Sequence, residues 1–272
     1  MKLCMMTYTM WRQPAYFSLR GMLELTQKLG IEGIDFVTLN DTDPKELRAM
    51  ANDFGITVAA HTFYADLNYP TAGERQAGVD AAKRGIEDAV TLGAPVGMIP
   101  TMGKGDQPRE VSRRQFIAGL QEVIDFAQQA GVTLTVENFP GANSPFVIAD
   151  DVLEAMRDVP GLGLTFDNGN VFTGGEDPAV SFTRCAPHVA HAHFKDWQLM
   201  PEGEGMHGLD GRWYSGALIG EGIVNQKSCL QAMKNAGYNG FINIEYEGNL
   251  YPPDDAVRKA VNYLRETIAS LA

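Results

Sequence analysis

Cysteine is scarce in this chain: Cys4, Cys185 and Cys229 are odd in number and far apart in a sequence of 272 residues. They build neither a disulfide framework nor a C-x-x-C metal pair, and a reducing cytoplasm is the compartment they suit. Long apolar runs are missing as well. No window reaches the roughly 18 to 20 apolar residues of a membrane-crossing helix. The opening MKLCMMTYTMWRQ has one Lys and a short apolar stretch, with no small-residue cleavage site. Positive charge is also short, 22 Lys plus Arg against 34 Asp plus Glu, for a formal charge of −12. With no Lys/Arg run to build a basic groove, the expectation is no nucleic-acid partner and no membrane partner, but a small molecule. An assembly of identical copies is compatible with the sequence, which carries nothing that sets it. Finally, no glycine-rich turn follows the first apolar run, where Thr9-Met10-Trp11-Arg12-Gln13 stands, and no P-loop occurs. That removes the nucleotide-binding signature of an open doubly wound sheet.

What the chain does have is material for a core, 44% hydrophobic against 21% charged residues. Short β-rich runs recur along it: 2–8, 33–39, 57–63, 95–101, 133–139, 163–167, 189–195 and 241–246. Each is followed by a stretch of helical periodicity, as where Phe116, Ile117, Leu120, Val123, Ile124 and Ala127 mark one face before Gly131 and the next run. Alternation of strand and helix means a parallel sheet covered by helices. Eight such units in 272 residues predict a single (β/α)8 TIM barrel, an α/β fold with eight parallel strands, as one domain over residues 1–272. One connection is unusually long, 196–224, rich in glycine and carrying Trp197, Trp213 and Tyr214. A lid is the functional expectation there, and a disordered insertion the plainer one.

In a barrel of this kind the active site lies where the strands end. The last four runs finish in Glu137-Asn138, Asp167-Asn168-Gly169-Asn170, His193-Phe194-Lys195-Asp196 and Glu245-Tyr246-Glu247. Strand alternation puts Thr135 with Glu137, Thr165 with Asp167, His191 with His193 and Asn243 with Glu245 on one face. The opposite face is apolar, with Leu134, Val136, Leu164, Phe166, Ala190, Ala192, Ile242 and Ile244, so the polar set points into the barrel. Three carboxylates meeting in a barrel mouth repel and need protons or a cation. One divalent metal bound by Glu137, Asp167, Glu245 and His193 solves this. Mn²⁺, Mg²⁺ or Co²⁺ suits the oxygen-rich set, Mn²⁺ foremost, and Zn²⁺ also fits. His61 ends the third run and is expected in the mouth as a substrate contact. His191, two residues deeper than His193, reads as a core histidine, and His207 as a loop residue that closure would bring in. Tyr8 and Trp11 could wall a substrate ring or merely pack.

These motifs, with Gly220-Glu221-Gly222, make the chain resemble the xylose isomerase-like TIM-barrel superfamily of sugar isomerases and epimerases over nearly its whole length. The resemblance implies a divalent metal on Glu137, Asp167, His193 and Glu245. It also implies proton transfer through a metal-stabilised enediolate, with Glu137 and Glu245 as the acid/base pair. The substrate would be a sugar or keto-polyol, leaning towards an unphosphorylated one. The chain departs from the ketose 3-epimerases of that family in having Asn170 where they commonly carry His, and Lys195-Asp196 in place of an Arg. Asn170 can still hydrogen-bond a substrate hydroxyl. Lys195 can hold a substrate oxygen, or else pair with Asp196 or Glu221. A metal-dependent dehydratase or lyase acting on an inosose or 3-keto sugar is the alternative on the same scaffold. An abasic-site endonuclease would need more than the five histidines present, and a non-catalytic sugar binder would have no use for the Glu137/Glu245 pair.

Overall fold

A computed structural model describes residues 1–105 and 107–271. The first half runs β1 (Lys2–Met6), α1 (Thr7–Trp11), α2 (Leu19–Lys28), β2 (Gly33–Val37), α3 (Pro44–Asp53), β3 (Thr57–Thr62), α4 (Ala72–Leu92), β4 (Val96–Ile99) and α5 (Arg109–Ala130). The second half continues with β5 (Thr133–Glu137), α6 (Ala149–Asp158), β6 (Gly163–Asp167), α7 (Asn168–Phe172), α8 (Pro178–Cys185) and β7 (Val189–Phe194). Then come β8 (Asp196–Met200), β9 (Met206–His207), β10 (Trp213–Ala217), α9 (Gln226–Asn235), β11 (Phe241–Ile244) and α10 (Pro253–Ala269).

The eight runs read from the sequence all become parallel barrel strands, closed in the order β1-β11-β7-β6-β5-β4-β3-β2. The turns that make this possible are set locally. Gly131 ends α5 with φ 72°, a left-handed conformation that costs glycine little. Asp43 and Asp177 cap α3 and α8, each with a proline in the first turn. The apolar core lies between strands and helices. Leu134, Val136, Leu164, Phe166, Ala192, Ile242 and Ile244 face outward from the strands and are buried, as is the predicted α5 face from Phe116 to Ala127.

The barrel interior is polar. Thr135 and Thr165 share a hydrogen bond of 2.8 Å between their hydroxyls, and Asp35, Thr62, His191, His193 and Asn243 are buried beside and above them. One irregularity matters for the site. Ile34 pairs with Val58 but Asp35 with Ala60, so Ala59 is an extra residue in β3. Such a bulge reverses the alternation of every residue after it.

The long connection is an ordered three-stranded antiparallel sheet, β8-β10-β9. Trp197 and Tyr214 are buried in it with Val224. Its base is tied by one side chain. The Asp196 carboxylate accepts hydrogen bonds from the backbone N–H of Trp197 (2.9 Å), Gly220 (2.9 Å), Gly222 (3.1 Å) and Val224 (3.0 Å). A Cβ at Gly222 would collide with that carboxylate, which is why glycine stands there. Losing this clamp strands several buried donors. Asp196→Ala should cost about 2–4 kcal/mol and lower the thermal midpoint by roughly 5–10 °C, with Asp196→Asn milder. An unchanged midpoint in Asp196→Ala would show that the clamp is dispensable.

Candidate active site

Each side chain of the cluster is delivered by the end of a strand. Glu137 leaves β5, Asp167 ends β6, His193 lies on β7 and Glu245 follows β11, all four buried. One donor atom from each lies within 4.8 Å of the others, a spacing that could hold a metal ion. The Nδ1 atom of His193 is 2.9 Å from Glu137 Oε1 and 3.3 Å from Glu245 Oε2. Asp167 is fixed by its neighbours: Oδ1 caps α7 by accepting from the Asn170 N–H at 2.6 Å. The Asn138 side chain meanwhile exchanges hydrogen bonds with the Asp167 backbone, at 2.7 and 2.8 Å. Among the described residues the other oxygen, Oδ2, has no hydrogen-bond partner, and neither has Glu245 Oε2.

Asn170 also reaches the cluster, its amide nitrogen 3.4 Å from Glu137 Oε1 and its Oδ1 unpartnered. Lys195 lies in the middle of the acids. Its Nζ is 2.8 Å from Glu245 Oε1, 3.5 Å from Glu247 and 3.6 Å from Asp167 Oδ2. The alternative partners considered for it are otherwise engaged, Asp196 in the loop clamp and Glu221 with the Tyr251 hydroxyl.

Charge explains the titration of these groups. Burial opposes the charged form of Lys195, but Asp167, Glu245 and Glu247 hold its ammonium well above the ordinary lysine range. Burial likewise opposes charge on His193, yet Glu137, Asp35 and Glu245 hold it well above the usual histidine value. Burial pushes Glu245 upward, but Lys195 and His193 more than reverse this and hold it at about 2. Asp167 is the carboxyl left short. Burial raises it far above the usual range, Lys195 offsets only part, and Glu245 and Glu137 add to the rise. A pocket with two orphaned carboxylate oxygens and a carboxyl forced upward by burial and by its acidic neighbours is short of positive charge. Glu137, Asp167, Glu245 and the His193 imidazole therefore fit a hard or borderline divalent cation.

The cavity over the cluster is lined by Met6, Tyr8, Tyr64, Met98, Phe139 and Glu247, with Glu137 and Glu245 at its floor. Tyr8 thus takes the wall position considered for it, while Trp11 packs edge-on against Tyr8 with ring centres 5.3 Å apart.

His61 is not brought to this cavity. Thr62 donates to the Asp35 carboxylate inside the barrel (3.1 and 3.2 Å), so His61 points outward, its Nδ1 donating to the Phe36 carbonyl at 2.8 Å. It lines a separate cleft with Thr38, Arg84 and Asp88. The bulge at Ala59 is the cause: regular alternation from Val58 would have turned His61 inward. His207 stacks on Trp213, ring centres 4.7 Å apart.

Sequence reasoning passed over Glu247, Tyr64, Phe139 and Asp35. Glu247 shares the face of Glu245 two residues on, and Asp35 is a charge within the buried strand GIDFV, so both left a readable signal. Tyr64 and Phe139 did not, because aromatic residues after a strand are as often packing.

Comparison with known proteins agrees with this architecture. The inosose dehydratase of Lacticaseibacillus casei is 27% identical over 159 residues, 55% of this chain and 53% of that protein. The chain thus matches only about half the length of that relative. The L-ribulose-5-phosphate 3-epimerase UlaE of Escherichia coli (strain SMS-3-5 / SECEC) is 24% identical over 274 residues, 91% of this chain and 89% of that one. The crystal structure of the IolI protein with a bound zinc atom shares the fold with a TM-score of 0.82 at 19% identity, covering 100% of this chain and 99% of that chain. The model of one family matches residues 23–267, nearly the whole barrel, and by that match the chain belongs to the xylose isomerase-like TIM barrel family.

Proposed function

We propose that the protein is a divalent-metal-dependent sugar isomerase or epimerase in which Glu137 and Glu245 move a proton at carbon beside a ketose carbonyl. The observation that carries this reading is the pair itself. Two buried glutamates from β5 and β11, strands separated in the barrel by β6 and β7, meet the same imidazole at 2.9 and 3.3 Å at the floor of one cavity. A divalent ion on Glu137, Asp167, His193 and Glu245 would polarise the substrate carbonyl and its neighbouring hydroxyl and so acidify the adjacent C–H. The names of the relatives, an epimerase among them, support the same substrate class.

The chain's own residues divide the remaining work. One glutamate takes the proton from carbon, and the other, on the opposite side of the substrate, returns one to the same carbon or to its neighbour. Which starts depends on the configuration bound. Lys195 donates to Glu245 Oε1 at 2.8 Å and holds it in place, and adds positive charge where an enediolate forms. Asn170 offers an amide beside Glu137 for a substrate hydroxyl. Tyr8, Tyr64, Phe139 and Met98 give the cavity apolar walls that exclude water and pack against the carbon face of a sugar. With Asn170 in place of the epimerase histidine, a keto-polyol or unphosphorylated ketose suits the site, and Mn²⁺ suits its donors.

Glu247 favours a second reading, a dehydratase or lyase on an inosose or 3-keto sugar. It lies in the cavity wall outside the four-residue donor set. Burial raises its carboxyl, Lys195 offsets part of the rise, and Glu245 adds to it, the direction that favours a proton donor to a leaving hydroxyl. An inosose dehydratase is among the relatives.

The test is turnover on a panel of ketoses, inososes and 3-keto sugars with Mn²⁺. Product mass equal to substrate mass identifies isomerisation or epimerisation, and loss of water identifies dehydration. Glu137→Gln and Glu245→Gln should each lower the rate roughly 10²- to 10⁴-fold. Near-normal turnover in either variant would remove that glutamate from the mechanism. A chelator should abolish turnover and added Mn²⁺ restore it; full activity in the chelated protein would refute the metal.

A further inference from the structure

The barrel interior below the cluster holds a carboxylate that the proposed reaction does not use. Asp35 is fully buried on β2. Ionised carboxylates in such places are costly unless paired, and no Lys or Arg forms a salt bridge with it among the described residues. Its one ion-pair contact there is with His193, whose Nε2 stands 3.7 Å from Asp35 Oδ2. The carboxylate is nevertheless built in. The Thr62 hydroxyl donates to it at 3.1 and 3.2 Å, and the Asn243 side-chain amide donates to Oδ2 at 2.7 Å.

His193 shows the other half of the arrangement. Its Nδ1 faces Glu137 and Glu245, while its Nε2, buried, has no hydrogen-bond partner. An imidazole can present a lone pair to a cation at Nδ1 only with its proton on Nε2, and a proton buried there needs an acceptor. Asp35 Oδ2, 3.7 Å away, is placed to be that acceptor. His191 lies on the same face of β7, its ring edge-on to that of His193 with centres 5.5 Å apart.

We propose that Asp35 is the positioning residue that fixes His193 in the Nε2–H tautomer and turns its Nδ1 lone pair to the metal. The proposal rests on the metal-binding reading above. Among the described residues, the salt-bridge contact of Asp35 with the four-residue donor set is through His193. Thr62 and Asn243 hold Asp35 as Asp35 holds the imidazole, so orientation passes from β3 and β11 through β2 to β7.

Three measurements on the intact protein test this. Titration with Mn²⁺ should give one equivalent bound by the wild type. Asp35→Ala should weaken that binding roughly 10- to 100-fold, and Asp35→Asn, which keeps an acceptor oxygen, should weaken it less. The Nε2–H resonance of His193 in the Zn²⁺-loaded protein should be that of a hydrogen-bonded proton shielded from exchange in the wild type, and should move upfield and exchange faster in Asp35→Ala. Should Asp35→Ala fail to fold, Thr62→Val, which keeps the carboxylate but frees one side of it, should weaken Mn²⁺ binding a few-fold. Unchanged Mn²⁺ affinity in the Asp35 variants, or an unchanged His193 Nε2–H resonance, overturns the proposal. A second equivalent of metal that disappears with Asp35→Ala would also overturn it, by making Asp35, His191 and His193 ligands themselves. No metal bound by the wild type would instead defeat the reading on which the proposal rests.

Discussion

Negative charge gathered where water is excluded is the constraint that orders this molecule. Glu137, Asp167 and Glu245 are buried together at one end of the barrel with Glu247 beside them, against one lysine and one histidine. In a low-dielectric pocket such charges raise one another's cost unless cations or hydrogen bonds answer them. The local structure reads as a series of answers. Lys195 is held by three carboxylates, His193 bridges two glutamates, the Asn170 N–H donates to Asp167 Oδ1, and Asn138 fixes the Asp167 backbone. Asp167 Oδ2 and Glu245 Oε2 stay without hydrogen bonds. That residual shortage of positive charge is what the proposed metal ion would answer.

The fold keeps this polar interior affordable by separating two kinds of burial. Apolar strand residues such as Val136, Phe166 and Ile244 face the helices and supply the hydrophobic core, whereas the inward faces carry Thr135, Thr165, Asp35 and Asn243 in mutual hydrogen bonds. The excursion between β7 and α9 is organised on the same principle. Asp196 is a buried acid answered by four backbone N–H groups, and its neighbour Lys195 is thereby left to the active cluster.

Most of the barrel was legible because its signal is local and periodic. Each strand is an apolar run with a helix pattern behind it, and each of the last four ends in a polar residue whose parity matches that of its neighbours. Parity alone placed Glu137, Asp167, His193 and Glu245 together, and the structure gathers their donor atoms within 4.8 Å. The same rule failed at His61, because the extra residue Ala59 is set by pairing between β2 and β3 and leaves no mark in the alternation. Asp35 was overlooked since its partners, Asn243 and His193, lie on strands remote in sequence. The 196–224 segment looked loose by its glycines. Several of those glycines serve close contacts, Gly222 against Asp196 and Gly216 against the backbone at Glu247.

The central claim is that a proton leaves carbon to one buried glutamate and returns from the other. A proton on the second glutamate exchanges with solvent between turnovers, whereas a hydride passed directly between carbons does not. The most direct measurement is therefore turnover in D2O with Mn²⁺, reading the position and number of deuterium atoms in the product by mass spectrometry and NMR. The account predicts one deuterium at the carbon that receives the proton. Product formed without deuterium at that carbon would contradict proton transfer by Glu137 and Glu245.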